Sequence, residues 1–304
     1  MIKQAVKKIL NSLPYISYLN KELTKYRTWY PPGHYYSPLV SRADIEPRVD
    51  QIFDMSIKDV PGIDMNEKGQ LAVMEELKAY YRDMPFPETD NGSTRYFLSN
   101  GIYPYADGIF LYSMMRHYKP KRIIEVGSGH SSAVMLDTNE RFFNNEIELT
   151  FIEPYPERLY SLLSEKDKQK NIIEVKPIQD LPLSYFDKLE AGDFLFIDST
   201  HVSKTGSDVN YLFFEIIPRL KSGVFIHVHD VFTPFEYPKD WVMRTHDWFG
   251  FNEIYILRAF LMFNPVFEIV VFNTFLEHHH RTWFKENMPL CLENDGGSIW
   301  IKRK

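Results

Sequence analysis

The stretch IIEVGSGHSS, residues 123–132, joins a short apolar run to two glycines and two serines. Ile123, Ile124 and Val126 read as a strand, Gly127 and Gly129 as the turn that follows, and Ser131 and Ser132 as caps of the next helix. Glycine lets the backbone approach a ligand closely, and the free amides at a helix start offer hydrogen-bond donors. Glu125 stands two residues ahead of the first glycine, and Glu153 closes the next apolar run. A dinucleotide-binding turn, GxGxxG, uses a third glycine for close helix packing beside a pyrophosphate. Here that sixth position is Ser132. The pattern E-x-G-x-G with an acidic end to the next strand suits a ligand that carries a ribose diol and no phosphate.

Outward from this turn, short runs rich in Ile, Val and Phe alternate with helical patterns from about residue 105, the signature of βαβ architecture. Strands are predicted over 122–126, 149–153, 172–176, 194–198 and 224–229, and their nearly continuous apolar character fits burial on both faces. Between the last two, Val209, Leu212, Phe213, Ile216, Ile217 and Leu220 make one helix face, and Gly223 follows as a stop. A helix over 253–263 and strands over 266–272 and 298–302 complete an α/β fold with a seven-stranded sheet and helices on both faces. From Tyr30 to about Gly101 the chain is rich in Pro, Tyr, Phe and acidic residues and reads as an irregular N-terminal cap or extension. Its clearest helix spans 66–82, where Leu71, Met74, Leu77 and Tyr81 recur at helical spacing.

EVGSGHSS, FIEPYP and FLFIDSTH together resemble the first, second and fourth-strand motifs of the class I S-adenosylmethionine-dependent methyltransferases. The resemblance implies a Rossmann-like sheet whose last strand runs antiparallel. It divides the chain into an N-terminal extension or cap, residues 1–101, and a methyltransferase domain, residues 102–304. It also implies a cofactor set of Glu125, Gly127, Ser128, Gly129, Ser131, Glu153, Gln179, Asp180 and Asp198. In that set the glycine turn faces methionine and ribose, Glu153 takes the ribose hydroxyls, Glu125 positions the methionine end, and Gln179 with Asp180 approaches the adenine amine. The structural alternatives are that Glu153 caps the helix beginning near Pro156 and that Asp180 starts the turn before Pro182.

Functional groups in open α/β sheets gather beyond the carboxyl ends of the strands. The fourth strand delivers Asp198 and His201 there, and the fifth delivers His229 and Asp230. Asp198, His201 and His229 are the candidate catalytic residues. Asp198, His229 and Asp230 could hold a divalent cation that acidifies and orients an acceptor hydroxyl. Alternatively, His201 or His229 takes the hydroxyl proton as general base. FIDSTH with IHVHDVF resembles the metal-dependent small-molecule and sugar O-methyltransferases, including the macrocin O-methyltransferase and cephalosporin-hydroxylase-like groups. Those relatives commonly carry an acidic pair after strand five, where this chain has His229 and Asp230. A mixed imidazole and carboxylate set suits Mn, Fe or Zn at least as well as Mg.

Three features take plainer readings. His227 is expected to be a core histidine, His278 to His280 a solvated loop, and Tyr30, Tyr35, Tyr36 and Phe97 packing residues of the extension. The 304 residues, 44% hydrophobic and 25% charged, can bury one substantial core. A net charge of -6 argues against nucleic acid as the main partner. The single cysteine, Cys291, cannot form an intrachain disulfide, and no apolar run nears the roughly 20 residues that span a bilayer. A cytoplasmic protein without integral membrane association is expected, with homo-oligomerisation left open. In the opening segment Ile2, Val6, Ile9, Leu10 and Leu13 lie at near-helical spacing beside Lys3, Lys7 and Lys8, a face that packs on its own protein more readily than on a membrane surface. The expected function is O-methylation of a small-molecule or saccharide hydroxyl. The alternatives are a metal-free N- or C-methyltransferase, a catalytically silent S-adenosylmethionine-binding protein and, third, a dinucleotide enzyme.

Overall fold

The computed structural model describes residues 6, 10–11, 13–25, 27–244, 249–294 and 296–304. Seven strands form one sheet: β1 Arg122–Val126, β2 Glu148–Ile152, β3 Ile172–Glu174, β4 Phe194–Ile197, β5 Phe225–His229, β6 Phe267–Phe272 and β7 Ser298–Arg303. Their order is β3-β2-β1-β4-β5-β7-β6. The first five are parallel, and β7 runs antiparallel to both β5 and β6. This is the Rossmann-like α/β plan that the sequence predicts. Strands β2, β3 and β4 end one or two residues earlier than expected, which frees Glu153 and Asp198 for the loops beyond the sheet. The backbone still stays knitted there: Gly127 N–H donates to Ile152 C=O at 3.0 Å and Asp198 N–H to Val126 C=O at 2.9 Å. Among the described residues no helix is long and apolar enough to cross a membrane.

The helix between β4 and β5 departs from the prediction in kind. It opens as an α-helix over Asp208–Tyr211, widens into a π turn over Leu212–Ile216 and tightens to 3-10 over Ile217–Arg219. Pro218 lacks an N–H and its ring crowds the carbonyl four residues back, so the regular ladder cannot run through it. The altered turns keep Leu212, Phe213, Ile216 and Ile217 buried.

The predicted loop at His278–His280 is instead the end of a helix, Asn273–His279. Its apolar residues Phe275 and Leu276 are buried and anchor it, and the His279 ring packs against Phe275 at 4.8 Å between centroids. His280 Nε2 lies 2.8 Å from Glu67 Oε1.

Two compact units emerge from the backbone contacts: Phe53–Pro238 with Phe251–Lys304, and Met1–Ile52 with Lys239–Gly250. The first holds the whole sheet and also the later half of the extension. Helix Glu67–Tyr81 buries Gln70, Met74 and Leu77. Gln70 Oε1 accepts Phe272 N–H at 2.7 Å and Asn66 Nδ2 donates to Ile269 C=O at 2.9 Å, so this helix covers the edge strand β6. Arg95 bridges Asp137 at 2.7 Å, Glu140 at 2.9 Å and Asp167 at 2.9 Å. Tyr96 N–H donates to the same Asp137 carboxylate at 2.9 Å.

In the second unit, helix Pro14–Lys25 is an element that the sequence patterns did not delimit. There Tyr30 stacks on His34 at 4.6 Å and lies tilted against Tyr36 at 5.0 Å, while Tyr35 and Tyr36 stay exposed rather than packed as expected. Of the opening basic segment, Ile2, Lys3, Lys7, Lys8 and Ile9 lie outside the described residues, and Val6, Leu10 and Leu13 are exposed.

Candidate functional site

Beyond the carboxyl ends of β1, β2 and β4 lies a cavity of about 340 Å³, lined among others by Gly127, Glu153, Gln179, Asp198, Lys204 and Asp208. Pro154, Tyr155, Pro177 and Ile178 supply an apolar wall beside these polar groups. A volume at the low end of small-molecule sites, with few convergent polar groups on apolar walls, is what a cofactor cleft requires. Glu153 faces it while its two oxygens accept Ser128 N–H at 3.1 Å and Tyr155 N–H at 2.8 Å. Each carboxylate oxygen has a second acceptor site left for a diol. Gln179 Nε2 donates to Gly206 C=O at 2.9 Å, whereas Asp180 is exposed and does not line the cavity. Ser199 Oγ is buried at this wall with no hydrogen-bond partner among the described residues. The Glu153 carboxylate beside the apolar wall is a lining that a ribose diol and an adenine ring would fit.

Gly127 serves this cleft indirectly. At φ +80° it takes the left-handed conformation, and a Cβ there would lie 1.7 Å from the Asp198 carbonyl oxygen. The missing side chain makes room for the β4 loop, not for a ligand. Glu125 and Ser131 also turn inward: Glu125 is fully buried and accepts the hydroxyls of Ser131 at 2.6 Å and of Ser132. Ser132 Oγ in turn accepts Gly129 N–H at 3.0 Å. These groups shape the turn from behind.

Burial pushes the Glu125 carboxyl up to about 8, despite the serine hydroxyls that favour its charged form. The folded protein therefore holds this proton from about pH 4.5 to 8 while the unfolded chain releases it. Stability from this group is fully present below the unfolded pKa and falls as pH rises through the folded one. Glu125→Gln, neutral at every pH, is expected to flatten that fall, so that between pH 5 and pH 9 the wild type loses on the order of a few kcal/mol relative to the variant. Urea unfolding at pH 5 and pH 9 checks it, and an equal wild-type-minus-variant difference at both would refute it.

The second cluster gathers past β4 and β5. His201 Nε2 lies 3.2 Å from Asp198 Oδ1 and 3.3 Å from Asp230 Oδ2, and its Nδ1 lies 2.8 Å from Glu253 Oε2. His201 and Asp230 have φ of 59° and 54°, strained for side-chain-bearing residues and typical of functional turns. Burial works to lower the His201 pKa, but Asp198 and Glu253 outweigh it and raise it to about 11. The ring is thus charged at neutral pH. Burial likewise opposes ionisation of Asp198, yet the His229 and His201 imidazoles hold its carboxyl below the ordinary value. Asp230 is raised by burial, only partly countered by the same two rings.

His229 Nε2 stands 3.7 Å from Asp230 Oδ1, and its Nδ1 is buried without a hydrogen-bond partner among the described residues, beside the Tyr103 ring 5.1 Å away. Asp107, raised by burial to about 6, acts on this histidine from the helix Ala106–Tyr118. His227 is the expected core histidine, stacked on Phe196 at 3.9 Å, although neither ring nitrogen has a hydrogen-bond partner among the described residues.

The metal expectation does not fit this arrangement. Among the described residues no three His, Cys, Asp or Glu side chains are disposed to hold an ion. It is His201, not His229, whose ring nitrogen stands between the two aspartates. Sequence reasoning also missed Glu253, Lys204 and Asp208. Asp208 fixes the β4 loop by accepting Thr200 N–H at 2.9 Å and Thr200 Oγ1 at 2.6 Å. No spacing rule ties Glu253 to a histidine 52 positions earlier.

Residues 124–231 match the family described as "Methyltransferase domain". An uncharacterised protein of Archaeoglobus fulgidus is 35% identical over 164 residues, 53% of this chain and 74% of that protein. Among solved structures, the O-methyltransferase TomG of Streptomyces achromogenes in complex with SAM shares 14% identity over 86% of this chain and 96% of its own, with a TM-score of 0.42. The O-methyltransferase of Bacillus cereus in complex with SAH shares 15% over 86% and 97%, with a TM-score of 0.40. The chain thus carries a methyltransferase domain.

Proposed function

We propose that this methyltransferase O-methylates a small-molecule or saccharide hydroxyl. The observation that carries this reading is the double placement of Asp198, which lines the cofactor cavity and also pairs with His201 at 3.2 Å. One carboxylate thereby joins the cleft to a buried acid and imidazole cluster where a hydroxyl can be ionised. The bound cofactor supplies an electrophilic methyl on a sulfonium. Glu153 would accept the ribose hydroxyls, and Gln179 and the apolar wall would take the adenine. The charged His201 ring stabilises negative charge forming on the acceptor oxygen, and Asp230, with its raised proton affinity, accepts the hydroxyl proton. Every residue in these roles lies in the segment proposed as the methyltransferase domain, residues 102–304.

Titration calorimetry with S-adenosylmethionine and S-adenosylhomocysteine tests the cleft. Micromolar binding, about -8 kcal/mol, is expected for the wild type. Glu153→Ala should weaken it by about 1 to 3 kcal/mol through lost charge-assisted hydrogen bonds. Undiminished affinity in that variant would remove Glu153 from the site. Tight cofactor binding with no methyl transfer to any hydroxyl compound in a broad screen would favour the silent binder.

A further inference from the structure

We propose that His201, held by Glu253, fills the position that the sequence resemblance assigns to a divalent cation, so that the reaction edge of this protein carries an imidazole in place of a metal. This inference rests on the reading of Asp198 and Asp230 as the reaction edge.

A bridging cation would have to sit between the Asp198 and Asp230 carboxylates, about 2.0 to 2.6 Å from their oxygens. That point is taken: Nε2 of His201 lies 3.2 Å from one carboxylate oxygen and 3.3 Å from the other, close enough for a single N–H to be shared between them. The ring has no room to retreat. Glu253 Oε2 holds Nδ1 at 2.8 Å, the Phe251 ring packs against it at 5.0 Å between centroids, and the side chain is 7% exposed. The backbone is pinned as well, because the N–H groups of Asn252 and Glu253 both donate to His201 C=O, at 3.0 and 3.1 Å. Glu253 is therefore a positioning residue, reaching the aspartates only through the histidine.

The same geometry explains why a single residue fixes the choice. Two aspartates facing one point repel each other unless a positive group lies between them. With the ring removed, Asp198 and Asp230 would face a vacated space as a pair of hard oxygen ligands suited to Mn²⁺ or Mg²⁺. Asparagine is the fitting replacement, since it tolerates the φ of 59° at this position.

The experiment is Mn²⁺ titration followed by electron paramagnetic resonance, on the full chain without cofactor. Wild type is expected to show no site tighter than ~1 mM, and His201→Asn to bind Mn²⁺ at least about tenfold more tightly. His201→Asn/Asp230→Asn should lose the gain. The proposal is overturned if wild type binds Mn²⁺ in the micromolar range and His201→Asn loses it, because His201 would then be a ligand. It is equally overturned if His201→Asn, folded by its thermal transition, gains nothing. Should that variant fail to fold, His201→Gly suits the same backbone and reads the same outcomes. None of these measurements involves methyl transfer, so failure of the cofactor reading, seen as absent S-adenosylhomocysteine binding to wild type, is separately visible.

Discussion

Gly127→Val is expected to lose measurable S-adenosylhomocysteine binding and to melt on the order of 5–10 °C below the wild type. The substitution places a Cβ 1.7 Å from the Asp198 carbonyl oxygen and 2.7 Å from its carbon, a contact that only a backbone shift can relieve. It also forces a β-branched residue to φ +80°, at a cost of about 1–2 kcal/mol before any clash. The shift cannot stay local. Gly127 N–H holds Ile152 C=O, and Asp198 N–H holds Val126 C=O, so the ends of β1, β2 and β4 move together. Glu153 and Asp198 are the next residues along, and their separation across the cleft would change. Differential scanning fluorimetry and calorimetry read both effects. Retained wild-type melting with lost binding would restore the simpler idea that the valine only blocks the ligand.

Asp230→Asn should leave S-adenosylhomocysteine affinity within about twofold of wild type while slowing single-turnover methyl transfer by about 10² or more. Asp230 is absent from the cofactor cavity, so binding has no reason to change. Its φ of 54° is one that asparagine adopts readily, so the turn after β5 keeps its shape. What disappears is a half-buried charge beside His201 and the oxygen that would take the acceptor's proton. The effect belongs on the chemical step, and rapid-quench measurement with an acceptor from the hydroxyl screen locates it there. Equal losses in affinity and rate would instead make Asp230 part of the cofactor cleft.

The strands were legible because each is a short, continuous apolar run, and burial on both faces leaves no polar alternation to confuse the pattern. Strand ends were less so: Glu153 and Asp198 follow apolar residues without a break, and only the hydrogen bonds of Gly127 and Asp198 show where the ladder stops. A hydrophobic face identified the helix after β4, yet nothing in that periodicity reports the π turn that Pro218 imposes. The cofactor motif was readable as a turn, but not which of its groups face outward. Glu125 and Ser131 carry the right chemistry for a ligand and spend it on each other. At the reaction edge, the residues that follow the strands could be named in advance. The partner from a distant helix, Glu253, could not, because its pairing with His201 is a fact of three-dimensional packing alone.

Arg95 gives this architecture an order in time. Its partners Asp137 and Asp167 lie 42 and 72 residues further along the chain, so the guanidinium leaves the ribosome well before the carboxylates that will neutralise it. Contacts of such sequence separation form late, after loop closure has been achieved by other means. Until then the buried Asp137 has no counter-charge, and the stretch around Tyr96 cannot dock. That flank cannot close before Asp167 has been made, at which point β3 to β7 are still to be synthesised.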